Sequence, residues 1–314
     1  MLNKILCAGI LGVFMVLGPA GAQPVPVAPG SAKVKGQIIA ARVQGQVTAI
    51  SKPSLDRRLL NEGDQVSEQT TIVTAPGASV VLVFSNGATV DIGSDSRLNI
   101  NEFIQDPFST DLKASDIKQE PGTSVTKLSL TRGELVGRVA HLNVDRGSEF
   151  TIQTPVGAAG IRGTVFRVIL RPTKNHKAHF SIETSEGLIV FTGLSTGPLD
   201  IPAGHKYEAT FDYNPNDEDD PFDWLPPDTL TLEGMFISPL EAAQIQSALQ
   251  VILAAFENVI FHVQQSNNGG INGGTNGGAN GGVNAAASGA GDPNGPPPPA
   301  PPLNAPTPGA GSGP

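Results

Sequence analysis

Between Lys35 and Phe211 the chain switches between apolar and polar residues in short runs. Arg97-Leu98-Asn99-Ile100-Asn101 and Thr89-Val90-Asp91-Ile92 repeat every second residue, the period of a strand with one buried face. QIIAARV, QVTAI, TIVTA, SVVLVF and RLNINEF come first. KLSLT, ELVGRVAHLNV, EFTIQT, TVFRVILR, HFSIET, LIVFTGL and YEATF follow, punctuated by glycine, asparagine and proline. Many short β-branched runs at this spacing predict an all-β architecture. In FSNGATV, Asn86-Gly87 reads as the two-residue turn of a hairpin, with both residues at positive φ.

One pattern recurs at the ends of these runs. Ile72 to Gly77, Ile152 to Gly157 and Ile182 to Gly187 all read I-x-T-x-x-G, each leading from one apolar run into another. Glycine in sixth place suits positive φ and threonine suits a strand end, so the pattern predicts a repeated corner. The middle copy opens TPVGAAGIRGTVFRV, whose glycines outline a phosphate-cradling loop. A dinucleotide loop needs G-x-G-x-x-G and then a helix. Here the spacing is G-x-x-G-x-x-G, and the next run is β-branched. The glycines are expected to turn the chain and hold no nucleotide.

The periodicity changes after Ser238. Ala242, Ile245, Leu249, Ile252, Phe256, Val259 and Val263 recur at steps of three and four, predicting one amphipathic helix over 238–265. Ser238 with Glu241 forms a capping box, and Pro239 sits in the first turn. This seam suits packing on the chain's own sheet; self-association into a homo-oligomer through 238–265 is the second role it allows. From Ser266 the chain becomes Asn-Gly-Gly repeats and then proline-rich sequence. It offers too little apolar surface to offset ordering, so 266–314 is expected to be a disordered tail.

At the other end, Lys4, the apolar run Ile5 to Leu17 and Ala20-Gly21-Ala22 read as a signal peptide over 1–22. That run is too short to span a bilayer, so no retained membrane span is expected. The organisation is then a signal peptide (1–22), a β domain (34–211), an acidic, proline-containing linker (212–237), the helix (238–265) and the tail (266–314). The β domain is expected as a compact two-layer or short solenoid-like arrangement.

Composition narrows the chemistry. The only cysteine is Cys7, inside the expected leader, which excludes disulfides and thiolate chemistry from the exported chain. A net charge of −9 argues against nucleic-acid binding, which needs a basic footprint. G-x-S-x-G, H-E-x-x-H and S-x-x-K are all absent, and with them the usual activated nucleophiles and metal pairs. No catalytic or cofactor-binding residue is expected. His176 and His179 have a spacing that, on a strand and its loop, does not aim both rings at one metal. Asp212, Asn214, Asn216 and Asp223 have the outline of a calcium loop. Asp217 stands where the turn glycine belongs, and Pro215 and Pro221 intrude, so a solvated acidic linker is the expectation.

With these residues assembled, the chain resembles the FecR family of extracytoplasmic domains. LLNEGDQVSEQTTIVTAPGASVVLVFSNGATVDIGSDSRLNI, Leu59 to Ile100, is similar to the order of the family's first half. LTRGELVGRV and FTIQTPVGAAGIRGTVFRV are similar to the second. The most specific match is T-P-x-G-x-x-x-x-R-G-T-x-F, carried by Thr154, Pro155, Gly157, Arg162, Gly163, Thr164 and Phe166. The resemblance implies an exported, non-catalytic, β-rich sensing or binding module. In the family such modules relay signals from outer-membrane transporters to sigma factors. The chain is expected to depart from that plan, with no N-terminal cytoplasmic segment, no retained membrane span and no clear second periplasmic subdomain before its tail. These residues are expected to shape the fold, with Arg162 paired to a carboxylate or to strand-end carbonyls. The expected partner is an envelope protein or cell-wall component. The alternatives are a self-assembling surface protein and, less favoured, a secreted hydrolase.

Overall fold

The computed structural model of the chain describes residues 32–174, 176–193, 197–212 and 232–262. The expected leader, most of the expected linker and the expected tail lie outside them. The first strands are Val34–Lys35 (β1), Ile38–Gln44 (β2), Val47–Ser51 (β3), Asp56–Leu59 (β4), Gln65–Val66 (β5), Thr70–Thr74 (β6) and Ser79–Phe84 (β7). Thr89–Ile92 (β8), Arg97–Gln105 (β9), Leu112–Lys113 (β10), Ser124–Arg138 (β11), Glu149–Thr154 (β12) and Gly157–Ile161 (β13) follow. Val165–Pro172 (β14), Lys177–Glu186 (β15), Leu188–Gly193 (β16), Pro198–Pro202 (β17) and His205–Asp212 (β18) come next. Glu233–Phe236 (β19), the helix Pro239–Phe256 (α1) and Ile260–Phe261 (β20) complete the series.

The strand pairings give two sheets. The first runs β4-β3-β6-β9-β11-β12-β13-β16-β17, with the short β1 also beside β9, antiparallel except for β11 with β12. The second runs β5-β2-β7-β8-β11-β14-β15-β18-β19 and is antiparallel throughout. The expected runs KLSLT and ELVGRV are thus one strand. β11 pairs in the first sheet up to Arg132 and in the second from Gly133. Gly133 makes the crossing at φ 102°, and a Cβ there would overlap Ser96. A side-chain-bearing residue would therefore meet both backbone strain and a clash.

Alternation turns one face of each sheet inward. Leu98, Ile100, Leu128 and Ile152 from the first sheet meet Leu82, Val90, Val168 and Ile182 from the second in one core. Phe84 joins Phe103 and Phe150 edge-on, with ring centroids 5.2 and 6.5 Å away. Burying each such side chain contributes roughly 1.5–3 kcal/mol. The arrangement is two-layer, which decides between the two expected forms.

α1 lies on the outer face of the second sheet. Ile245, Leu249 and Ile252 pack on Val136 and Val165, while Ala255 and Phe256 join Val81 and Val83. The capping box is present, with both Ser238 and Glu241 bonded reciprocally. The helix stops at Phe256, short of the expected Gln265. Beyond it, Ile260–Phe261 pairs with Leu112–Lys113, and Val259 accepts a backbone bond from Ala114. Val259 of the seam is thus drawn into this pairing, and beside it Phe261 is fully buried, while Val263 lies outside the described residues. The expected linker is also corrected: Glu233–Phe236 extends the second sheet beside β18.

Local turns differ in detail from the sequence reading. Phe84 and Ala88 close a three-residue loop in which only Gly87 has positive φ. Asn86 is instead buried, donating to Ser124 Oγ at 2.9 Å and Thr126 Oγ1 at 3.2 Å. Of the three I-x-T-x-x-G segments, the outer two carry the chain between sheets. The middle one is a hairpin within the first sheet, β12 to β13.

Candidate functional site

The segment 154–166 positions all seven motif residues. Thr154 Oγ1 accepts from the amides of Val156 and Gly157, both at 3.2 Å, and donates to the Gly157 carbonyl at 2.9 Å. This staple closes the hairpin around Pro155. β13 then pairs with β16, and Arg162-Gly163-Thr164 lifts the chain into the second sheet. Gly163 has φ 67° and packs so closely that a Cβ would sit 3.3 Å from His141 Cα. Thr164 accepts from the Val139 amide at 2.9 Å, and Phe166 enters the core. The element after Gly163 is strand β14, which is not the helix a phosphate loop requires. Arg162 corrects an expectation: it is exposed and makes no ion pair or hydrogen bond among the described residues. It sits between buried Ile161 and the turn at Gly163.

A second polar group lies at the hairpin end of the core. Glu120 Oε2 accepts from Ser148 Oγ at 2.6 Å and from the Asn143 amide at 3.0 Å. Its other oxygen accepts from Ser124 Oγ, which also receives Asn86. Ser124 is fully buried and Glu120 nearly so. A hydroxyl and a carboxylate in contact could in principle activate a nucleophile. Here every partner is already occupied inside a sealed layer, so the network ties loops together.

The third group was not legible from sequence. Register sets Arg42, Val81, Asp91, Val136, Arg167, Glu183, Lys206 and Met235 side by side across the outer face of the second sheet. Arg167 Nε donates to Glu134 at 2.8 Å, and its Nη1 to Gln244 of α1 at 2.8 Å. Arg171 holds the other Glu134 oxygen at 2.8 Å. Lys206 Nζ bridges Glu208 at 2.8 Å and Glu241 of α1 at 2.7 Å. Burial raises the Glu241 carboxyl, but Lys206 and the Ser238 amide outweigh it and hold the group down at about 2. Burial pushes Glu183 up, opposed by Arg167. Burial, helped by Glu134 and opposed by Arg42, pushes Asp91 to about 6, and its Oδ1 has no hydrogen-bond partner. The row seats the helix through Glu241 and Gln244. The available signal was a charge inside each of TVFRVIL, HFSIET and HKYEATF, since a buried charge needs a partner.

An open cleft of about 680 Å³ separates the end of α1 from β2, with Ile39, Ala41, Arg42, Glu62, Asn258 and His262 among its walls. His262 Nδ1 lies 2.9 Å from Asp111. Of the four calcium candidates, Asp212 ends β18 and pairs with Lys177 at 2.8 Å, while Asn214, Asn216 and Asp223 lie outside the described residues. His179 sits in β15, and His176 in the turn before it at φ 55°. No group of three metal-binding side chains occurs among the described residues. None of their helices is long and apolar enough to cross a membrane.

The family comparison agrees with the motif. No curated protein matches the chain significantly. Two crystal structures of a putative anti-sigma factor from Parabacteroides distasonis are similar at 11% identity, with TM-scores of 0.37 and 0.36. The match covers 57% of this chain and 64% of that one, which is less than two thirds of its length. The family model described as FecR protein matches residues 70–190, spanning β6 to β16 and thus the corner at Gly163. Over residues 70–190 the chain is thus similar to the FecR family.

Proposed function

We propose that the chain is an exported, non-catalytic regulatory or binding module of the bacterial cell envelope that recognises an envelope protein or a cell-wall component. The FecR domain at 70–190 carries this reading. The arrangement of side chains supports it. Of the signature residues, Thr154, Pro155 and Gly157 form a hairpin, Gly163 and Thr164 the sheet-to-sheet corner, and Phe166 fills the core, while Ser124 and Glu120 are sealed inside. Large chemistry-bearing groups on the outer sheet are paired beneath α1. Such a body presents contact surface in place of a reaction centre.

The test is crosslinking in intact cells, followed by rebinding of the captured component to the purified full chain. Recovery of one envelope component that rebinds saturably supports the reading. Turnover of a substrate, abolished by changing a single carboxylate, would overturn it in favour of a hydrolase.

A further inference from the structure

The cleft between β2 and the end of α1 is walled by residues outside 70–190, and each wall is pinned. In β2 a bulge leaves Ala41 without a partner on β7, so that Ala40 pairs with Leu82 and Arg42 with Val81. Plain alternation would turn Arg42 inward with Ala40. The bulge instead aims it outward, where it lines the cleft with Ile39 and Ala41, a re-aiming typical of bulges beside sites. The second wall is the turn Asn61 to Asp64. Gly63 donates to the Ala40 carbonyl at 2.8 Å, and Ala40 donates to the Asp64 carbonyl at 2.9 Å. Asp64 is taken up by the Asn61 amide at 2.9 Å and by Arg58 at 2.7 Å, which leaves Glu62 as the acid on the cleft. The third wall follows α1. Its Val259 carbonyl holds the Ala114 amide at 2.9 Å, and the His262 carbonyl accepts from Gln37 Nε2.

The floor is apolar: Ile39, Ala255 and Val259 belong to or pack on the cluster between α1 and the second sheet. Above it stand Arg42, Glu62 and Asn258, whose side chains make no hydrogen bond or ion pair among the described residues. A cation and an anion thus line one cleft without pairing with each other. Glu62 repels a polyanion and Arg42 a polycation, so the charges complement a ligand that carries both signs. A guanidinium suits a carboxylate, which it grips with two parallel bonds. A carboxylate suits an ammonium group, and the Asn258 amide both donates and accepts, as a peptide unit requires.

We propose that this cleft binds a short peptide with free termini, its carboxylate on Arg42, its amine on Glu62 and an apolar side chain over Ile39 and Val259. Two or three extended residues span at most about 7–11 Å, and a cleft of about 680 Å³ is of the size that small-molecule sites have. The site lies outside the segment similar to the FecR family and does not depend on the envelope-partner reading.

Isothermal titration calorimetry on the full chain at low ionic strength tests it, with leucyl-leucine, its N-acetyl form and its C-terminal amide as probes. Leucyl-leucine should bind saturably below about 10 mM. Acetylation and amidation should each weaken binding roughly fivefold. Glycylglycine, which offers the floor nothing, should bind roughly tenfold more weakly. Arg42→Gln should abolish the preference for acid over amide and keep that for amine over acetyl; Glu62→Gln should do the reverse. Both residues are exposed, so the thermal melt of each variant should match that of the wild type. Ala254→Trp, which fills the cleft and keeps both charges, should abolish binding. Failure of every dipeptide to saturate would overturn the proposal. So would preferences that survive the glutamine variants, glycylglycine binding as tightly as leucyl-leucine, or unchanged binding to Ala254→Trp.

Discussion

Asp91→Asn is the sharpest probe of the charged row, because the substitution keeps the shape and removes the charge. Asp91 lies on the outer face of β8, with Oδ1 buried and unpartnered. Glu134 on β11 disfavours its ionised form and Arg42 on β2 favours it, while α1 above contributes one charge, Glu241. Burial is the largest effect, and the carboxyl ionises at about 6 in place of its ordinary 3.8. Each pH unit of displacement is worth about 1.4 kcal/mol, so ionising Asp91 in the folded chain costs on the order of 3 kcal/mol. The sign follows from the raised value. The folded state binds the proton more tightly than the unfolded state, so this contribution is complete below the unfolded value and is lost as pH rises through 6. Urea unfolding of wild type and Asp91→Asn at about pH 7.5 and about pH 4 measures the difference directly. The variant should be the more stable by about 2–3 kcal/mol at the higher pH and nearly equal at the lower. A gap that is the same at both pH values, or a variant less stable near neutrality, would refute the reasoning.

Glu241 should act in the opposite sense. With its carboxyl held at about 2, its stabilisation is present above the ordinary 4.5 and fades as pH falls toward 2, which the acid limb of the same unfolding series would show. Lys206→Ala leaves Glu208 and Glu241 without their cation, so a loss of about 2–3 kcal/mol in chemical denaturation is expected, with faster hydrogen exchange in the first turn of α1. Asn86→Ala leaves the buried Ala88 amide without its acceptor and Thr126 Oγ1 without its donor, and should cost about 2 kcal/mol in the same assay. Millimolar calcium should leave the melting temperature unchanged, since Asp212 is already paired with Lys177.

The strand content and the helix cap were legible because each leaves a local trace: alternation at Arg97 to Asn101, and Ser238 with Glu241. The corner was legible in kind, though not in place. Thr154 and Gly157 look like a sheet change, yet they close a hairpin, and the change occurs six residues later at Gly163. Local sequence fixes a turn residue, but partner strands decide which sheet it leads to. The row from Arg42 to Met235 left no contiguous pattern, since its members sit on eight strands and meet only through register. Arg162 was assigned a partner because charged motif residues often have one; the corner's geometry leaves it facing water. The end of α1 was missed because Val259 keeps the helical period while the two residues after it pair with Leu112 and Lys113.

The account rests on the motif residues shaping the fold through hairpin, corner and core, with Arg162 left free, and equilibrium unfolding of Phe166→Ala beside Arg162→Ala tests this most directly. Phe166 is fully buried, so its truncation should cost about 3–5 kcal/mol, while Arg162→Ala should change stability by less than about 0.5 kcal/mol. Comparable losses at both positions would contradict the account, because the guanidinium would then be holding the fold.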